Sequence, residues 1–333
     1  MKNKKIIITA LVILAAGIIG YILYTKHPED VPLNIVSSGR NVSVQDAKMF
    51  LKGFPAQSVN EDPRKYFSRD IVNVYTVRFF KFIQNQMEFI TREKHLHEVK
   101  KYLNSVLDPQ KAIEMFALYE KFLDYEIGLR EKSKSWSQPR TTEELLMYLQ
   151  NIHDYRREIF GDEIADAMWG AEVKAREYSI RKNAVMFDKD LYGAEKEKRI
   201  GELKQEMWGT DAASLEDPPQ TDPEKFSSYQ ERQAVYQKDL NEMTADQRLE
   251  KIKEFRQELF SPEQVARLEK VDEELEADKR KEDDYYAREK EIMNDPSLDD
   301  DKKTEIIKEL QDNTFGDQAD AFRRRLIINK KMK

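Results

Sequence analysis

The chain has 333 residues, of which 36% are Asp, Glu, Lys or Arg and 40% are hydrophobic, with a formal charge of −7. The absence of cysteine excludes disulfides, thiolate metal sites and cysteine nucleophiles, four histidines leave little for a histidine-rich centre, and the acidic balance argues against a nucleic-acid partner. The apolar share is thin for one large core yet too rich for a disordered chain, which favours thin layers or an elongated helical shape.

Residues 1–5 carry Lys2, Lys4 and Lys5, and residues 6–24, IIITALVILAAGIIGYILY, follow as an uncharged run. As a helix this run covers about 28 Å, close to the hydrocarbon thickness of a bilayer. The lysines predict that residues 1–5 stay cytoplasmic and that the chain from residue 25 lies beyond the inner membrane, in the periplasm of a Gram-negative cell. A cleavable signal peptide is the alternative. Against it, the run exceeds the usual apolar core of such peptides and has no small-x-small exit before Tyr21 to Tyr24. The expectation is an uncleaved anchor.

Residues 25–65, interrupted by Pro28, Pro32, Pro55 and Pro63, read as a tether. Between Tyr66 and Phe89 the chain turns aromatic, and a helix here would bury a broad stripe; a strand over Val72–Val77 stays open. Leu96, Val99, Leu103 and Val106 then recur at helical spacing, and Asp108-Pro109 marks a break and restart. Ile113, Phe116, Tyr119, Leu123 and Ile127 form the next face, so the two segments predict an antiparallel pair in a small helical bundle. Thr141 or Thr142 caps the following helix, with Leu145, Leu146, Leu149 and Ile152 inward. Three corners share a pattern: YRREIFGDE at 155–163, FRQELFSPE at 255–263 and TFGDQA at 314–319. In each a Phe precedes Gly or Ser and a polar helix start, which predicts a helix, a sharp turn and a helix, with Phe packed under the corner.

Residues 171–209 read as one long amphipathic stretch, and residues 217–223, DPPQTDP, as the clearest internal linker. Helices are predicted at 225–259 and 262–292, the latter dominated by charges such as Glu269, Lys270, Glu273, Glu274 and Lys279 and therefore read as an exposed arm. Asp295-Pro296 precedes the closing helices, which end among Arg323, Arg324, Arg325, Lys330, Lys331 and Lys333. The chain outside the membrane reads as all-α.

Chemistry-bearing clusters are few. His95 and His97 do not share a helix face, and His153 has only Asp154 nearby, so solvated or locally hydrogen-bonded histidines are expected. No Gly-x-Ser-x-Gly elbow supports a hydrolase. DPSLDDD at 295–301 lacks calcium-loop spacing and reads as a helix cap, while the basic cluster near residue 330 suits a helix end. No catalytic residue, metal or cofactor is predicted. The apolar seams on the long helices exceed what their own contacts explain, which suggests a large partner.

The succession HEVKKYLNSVLDP at 97–109, the stretch from Ala112 to Tyr125, YRREIFGDE and FRQELF, all after an N-terminal anchor, resembles the lipase-specific foldases, also called lipase chaperones or modulators. The resemblance implies two small helical domains, 66–135 and 261–333, joined by an extended helical domain, 136–260. It also implies a steric chaperone, not an enzyme, that binds a secreted lipase or related esterase one-to-one in the periplasm. The family's motif of Arg, Phe-Asp-Tyr, Ser-Ala and Gly-Glu has its nearest counterpart in VRFFKFIQNQME at 77–88. Phe80 and Phe82 keep the aromatic positions and Arg78 offers a shifted cation, but Val77 stands for the Arg, Lys81 for the Asp, Asn85 and Gln86 for Ser-Ala and Glu88 for the Gly. Aromatic packing survives such changes, whereas the family's polar network does not. With Tyr119, Tyr125, Arg156, Phe160 and Phe255, these positions are the expected client-binding or corner residues. An anchored envelope scaffold without folding activity is the alternative.

Overall fold

The structure is a computed structural model and describes residues 42–52, 62–87, 91–215 and 218–331. The predicted membrane span at 6–24, with most of the tether, lies outside the described residues. Among those described, every regular element is a helix, and none is long and apolar enough to cross a membrane. Contacts divide the chain into two compact units, one up to Arg248 and one from Leu249.

The first unit begins with α1 (Val44–Lys52) and α2 (Pro63–Phe67). The stretch that left a strand open turns instead. The Asn73 side-chain amide donates to the carbonyls of Tyr66 (2.9 Å) and Asp70 (3.0 Å), and its Oδ1 accepts from the Tyr75 N–H at 2.8 Å. The Thr76 hydroxyl donates to the Ile71 carbonyl at 2.7 Å. This knot consumes the backbone partners a strand would need, and α3 (Thr76–Gln86) starts directly after it. The predicted pair follows as α4 (Arg92–Val106) and α5 (Pro109–Ser133), with Pro109 opening α5. Phe67, Phe79, Phe80, Ile83, Val99, Leu103, Met115 and Phe122 fill the core between them.

Thr141, not Thr142, caps α6 (Thr142–Phe160), through a reciprocal box in which Glu144 reaches back to the Thr141 N–H. Gly161 then turns the chain at φ 84°, a conformation that favours glycine. After α7 (Asp162–Ala165) the chain winds one π-helical stretch, Asp166–Gly170, which aims Met168 and Trp169 back into the α3–α5 core. That core therefore extends past residue 135.

The long stretch predicted at 171–209 is two helices, α8 (Ala171–Met186) and α9 (Gly193–Trp208). Asp188 accepts from the Asp190 N–H at 2.8 Å, forming a turn, and the first N–H of α9, that of Gly193, donates to Asp239 at 2.8 Å. Likewise the predicted helix at 225–259 is three: α10 (Asp222–Val235), α11 (Gln237–Glu242) and α12 (Ala245–Leu259), the last restarted by a Thr244–Gln247 cap. A Cβ on Gly193 would fall inside the Tyr236 ring, whose hydroxyl is held by Glu197 at 3.0 Å. Gly193→Ala is expected to cost about 1–3 kcal/mol and to lower the melting temperature of the first unit. Unchanged thermal unfolding would remove this packing from the account.

In the second unit, Ser261-Pro262 caps and opens α13 (Pro262–Asn294) as predicted. One end of α13 packs on the last turns of α12, where Phe255 is buried, Arg256 pairs with Asp272 at 2.6 Å and Lys253 with Glu269 at 2.8 Å. Near the other end Tyr285 is buried against Phe315 of α14 (Asp300–Phe315) and Phe322 of α15 (Ala319–Lys331). The Gln311 amide donates to the Tyr285 hydroxyl at 2.9 Å. Between these two knots, every residue from 273 to 281 is exposed.

Candidate functional site

The aromatic residues expected to meet a client lie mostly inside. Phe80 is fully buried on α3, edge-on to Tyr119 at 5.2 Å and tilted on Phe122 at 5.0 Å. The Tyr119 hydroxyl is 2.7 Å from Nε2 of buried His95, and burial raises its pKa, with Glu126 adding to the effect. Phe82 and Arg78 on the same helix are half-buried, Phe82 stacking on Phe79 at 6.4 Å. Phe255 is core in the second unit. Side chains at these places set the shape of the surface above them.

The substituted motif carries a polar clasp. Lys81 and Gln84, one turn apart on α3, both donate to the carboxylate of Glu126 on α5, and the Lys81 ammonium lies 5.4 Å from the Phe122 ring centre. A basic residue at the position read against the family's Asp thus finds an acid on the facing helix. The pair ties α3 to α5.

A second cluster joins α5, α6, the π-helical turn and α8. Tyr125, Phe160 and Trp169 pack within 5.5 Å of one another, centre to centre. The Arg156 guanidinium lies 4.9 Å over Trp169, donates to the Tyr125 hydroxyl at 3.0 Å and pairs with Glu172 at 3.3 Å. Glu172 also pairs with Arg176 at 2.8 Å, and these two cations hold its carboxylate below the usual range despite burial. Beside it, Arg157 makes three hydrogen bonds to the Asp166 carboxylate, at 2.8 to 3.0 Å, and Asp166 faces Nε2 of His153 at 3.0 Å. Burial, then Arg157 and Arg156, lower the pKa of His153, so the ring is neutral at pH 7. Its partner is Asp166, not the adjacent Asp154. Sequence reasoning missed this cluster because its members are brought together by the corner at Gly161 and the π-helical turn. The pattern YRREIFGDE marked the place but not the partners.

A third network buries Glu177 and Arg181 on α8, 3.2 Å apart, with Glu206 of α9 3.0 Å from Arg181. Burial, which outweighs the attraction of Arg181, pushes Glu177 up to about 7. Its folded pKa thus exceeds the ordinary 4.5, and the stability this adds is present below about 4.5 and lost as pH rises through about 7. The melting temperature of the chain should therefore fall between about pH 4.5 and pH 7, and Glu177→Gln should flatten that slope. A slope identical in the variant would assign the effect elsewhere.

On the surface of the second unit, Val271 and Leu275, one turn apart on α13, are 48% and 61% exposed. They are flanked by charges of both signs, such as Lys270, Glu274 and Lys279. An exposed apolar pair set among charges on a helix is suited to binding.

A family model described as proteobacterial lipase chaperone protein matches residues 118–320, more than half of the chain. The chain belongs to this family. No solved structure matches it. Lipase chaperones are not enzymes, and the partner of this one is a lipase. The matched region begins within α5 and ends at the start of α15. It contains Tyr119, Tyr125, Arg156, Phe160, Phe255 and all of α13, whereas Arg78, Phe80 and Phe82 precede it. The divergent segment thus lies outside the part of this lipase chaperone that its family recognises.

Proposed function

We propose that the chain is an inner-membrane-anchored steric chaperone, held by residues 6–24 with the rest in the periplasm, that binds one secreted lipase and assists its folding before release. The observation carrying this reading is the bare middle of α13. A 33-residue helix extends about 50 Å, and among the described residues its central turns, 273–281, are all exposed. In water such a helix relies on spaced charge pairs such as Lys270–Glu274, which stabilise weakly. A bound lipase supplies the missing packing on Val271 and Leu275, while the flanking charges orient it. Binding near-native lipase in preference to unfolded chain shifts the folding equilibrium by mass action, with no covalent chemistry.

Two measurements test the proposal. Light scattering of residues 25–333 mixed with the lipase should give the mass of a one-to-one complex, and protease added to spheroplasts should digest the region after residue 25. A mixture showing only the separate masses, or a region protected in spheroplasts and cut only after lysis, would contradict it.

A further inference from the structure

The stretch read as a tether, residues 25–65, is folded in part. Within it α1 is nine residues long, and Ser43 closes its first turn, its Oγ accepting from the Asp46 N–H at 3.0 Å. A helix this short is not stable alone in water, so its helicity depends on what it packs against. Val44 and Ala47 are buried, and Phe50 and Leu51 join them in one apolar cluster. The other side of that cluster is Ala175 and Tyr178 of α8, Leu203 and Trp208 of α9, and Ala212 and Leu215 at the 3-10 turn Gly209–Ser214. Small side chains at 47, 175 and 212 allow close approach, and Tyr178 and Trp208, edge-on at 4.9 Å, wall the seam. Two contacts extend it. A Cβ on Gly170 of the π-helical turn would come within 3.2 Å of Val42, and the Tyr75 hydroxyl donates to the Met49 sulfur at 3.3 Å. Thus α1 lies as an amphipathic helix in a groove of its own chain.

We infer that α1 is the mounting point of the membrane tether, fastening the chain that leaves residues 6–24 to the α8–α9 pair. The inference rests on the anchoring proposed above. In chain order α1 comes before the core built by α2 to α5, so a pull from the anchor meets the α1 seam before it reaches Pro63. Because residues 53–61 join α1 to the rest of the chain, the docking is intramolecular, and a contact that would be weak between separate molecules stays closed. The mount shortens the leash. Residues 25–41, even fully extended, reach about 60 Å, whereas a tether continuing to residue 65 would reach about 140 Å. The α8–α9 pair is therefore the part of the chain held nearest the bilayer, and the α2–α5 core is carried by it instead of by the anchor directly.

The absence of cysteine makes the test direct, because a single introduced thiol is unique. The full chain with Gln205→Cys, at an exposed position of α9, is labelled with a donor dye and reconstituted into phospholipid vesicles carrying acceptor lipids. A glycine–serine insert of about 30 residues is placed either between Ser37 and Ser38, before α1, or between Gln57 and Ser58, after it. The first insert should cut energy transfer by about half, and the second should leave it unchanged, because its added length lies beyond the mount. Ala47→Glu, which puts a charge into the seam, should make the second insert act like the first. The comparison of the two inserts stands without this variant, should it fail to fold. Flotation with the vesicles checks the anchor separately: a chain left in solution fails the anchoring reading and the mount with it. Floated chains in which the second insert lowers transfer as much as the first, or in which neither lowers it, would overturn the mount alone.

Discussion

Ala277→Pro is expected to reduce lipase refolding to the unassisted level while leaving the unfolding of the first unit unchanged. Ala277 lies at the centre of the stretch in which every side chain is exposed. A proline in a helix interior costs about 3 kcal/mol, through one lost hydrogen bond and a clash with the preceding turn. In a packed helix, neighbouring elements can hold the broken turn together; among the described residues, those from 273 to 281 are exposed and lack such support. The helix therefore kinks or frays between the Phe255 and Tyr285 knots, and Val271 and Leu275 lose their fixed relation to the turns around Tyr285. Ala277→Ser, which changes polarity with little change in backbone preference, serves as the control and should retain activity. Full refolding by the proline variant would mean that the continuity of α13 is irrelevant to client binding.

Trp169→Ala is expected to have the largest effect on stability. The side chain is 2% exposed and packs against Phe122, Tyr125 and Phe160 under the Arg156 guanidinium. Truncating a buried aromatic of this size costs about 3–5 kcal/mol. For a unit of this size, that lowers the melting temperature by about 10 °C. Losing the ring also frees Arg156 from one of its three contacts and weakens the hold on Glu172. Phe82→Ala, on a half-buried ring of the substituted motif, should cost distinctly less. A Trp169 variant melting like the unmodified chain would show that the π-helical turn does not tie α5, α6 and α8 together.

What the sequence revealed and what it concealed divide by the range of the interactions involved. Asp108-Pro109, Gly161 and Ser261-Pro262 were readable as corners because a cap is decided by residues within one turn of one another. The break between α8 and α9 was not, because the Gly193 N–H is held by Asp239 and the glycine is required by Tyr236, more than forty residues away. Helical periodicity placed Tyr119 and Leu123 on a buried face correctly but set Ile113 and Ile127 beside them, and both of these are exposed. The buried hydroxyls of Tyr119 and Tyr125, one on His95 and the other on Arg156, assign those two residues to the core. The charge pattern at 262–292 did predict an exposed arm, since a helix with so narrow a seam has little to bury. The Lys81–Glu126 clasp was hidden for a simple reason. The exchange at Lys81 was visible in the sequence, but its compensating acid lies on another helix.

The central claim, that this lipase chaperone acts by binding a lipase and guiding it to its active fold, is tested most directly by refolding. The denatured lipase is diluted from denaturant with residues 25–333 present or absent, and ester hydrolysis is followed. Recovery is predicted to rise with the chaperone and to saturate at one chain per lipase, with no hydrolysis by the chaperone alone. Equal recovery with and without it, and no complex formed, would contradict the account.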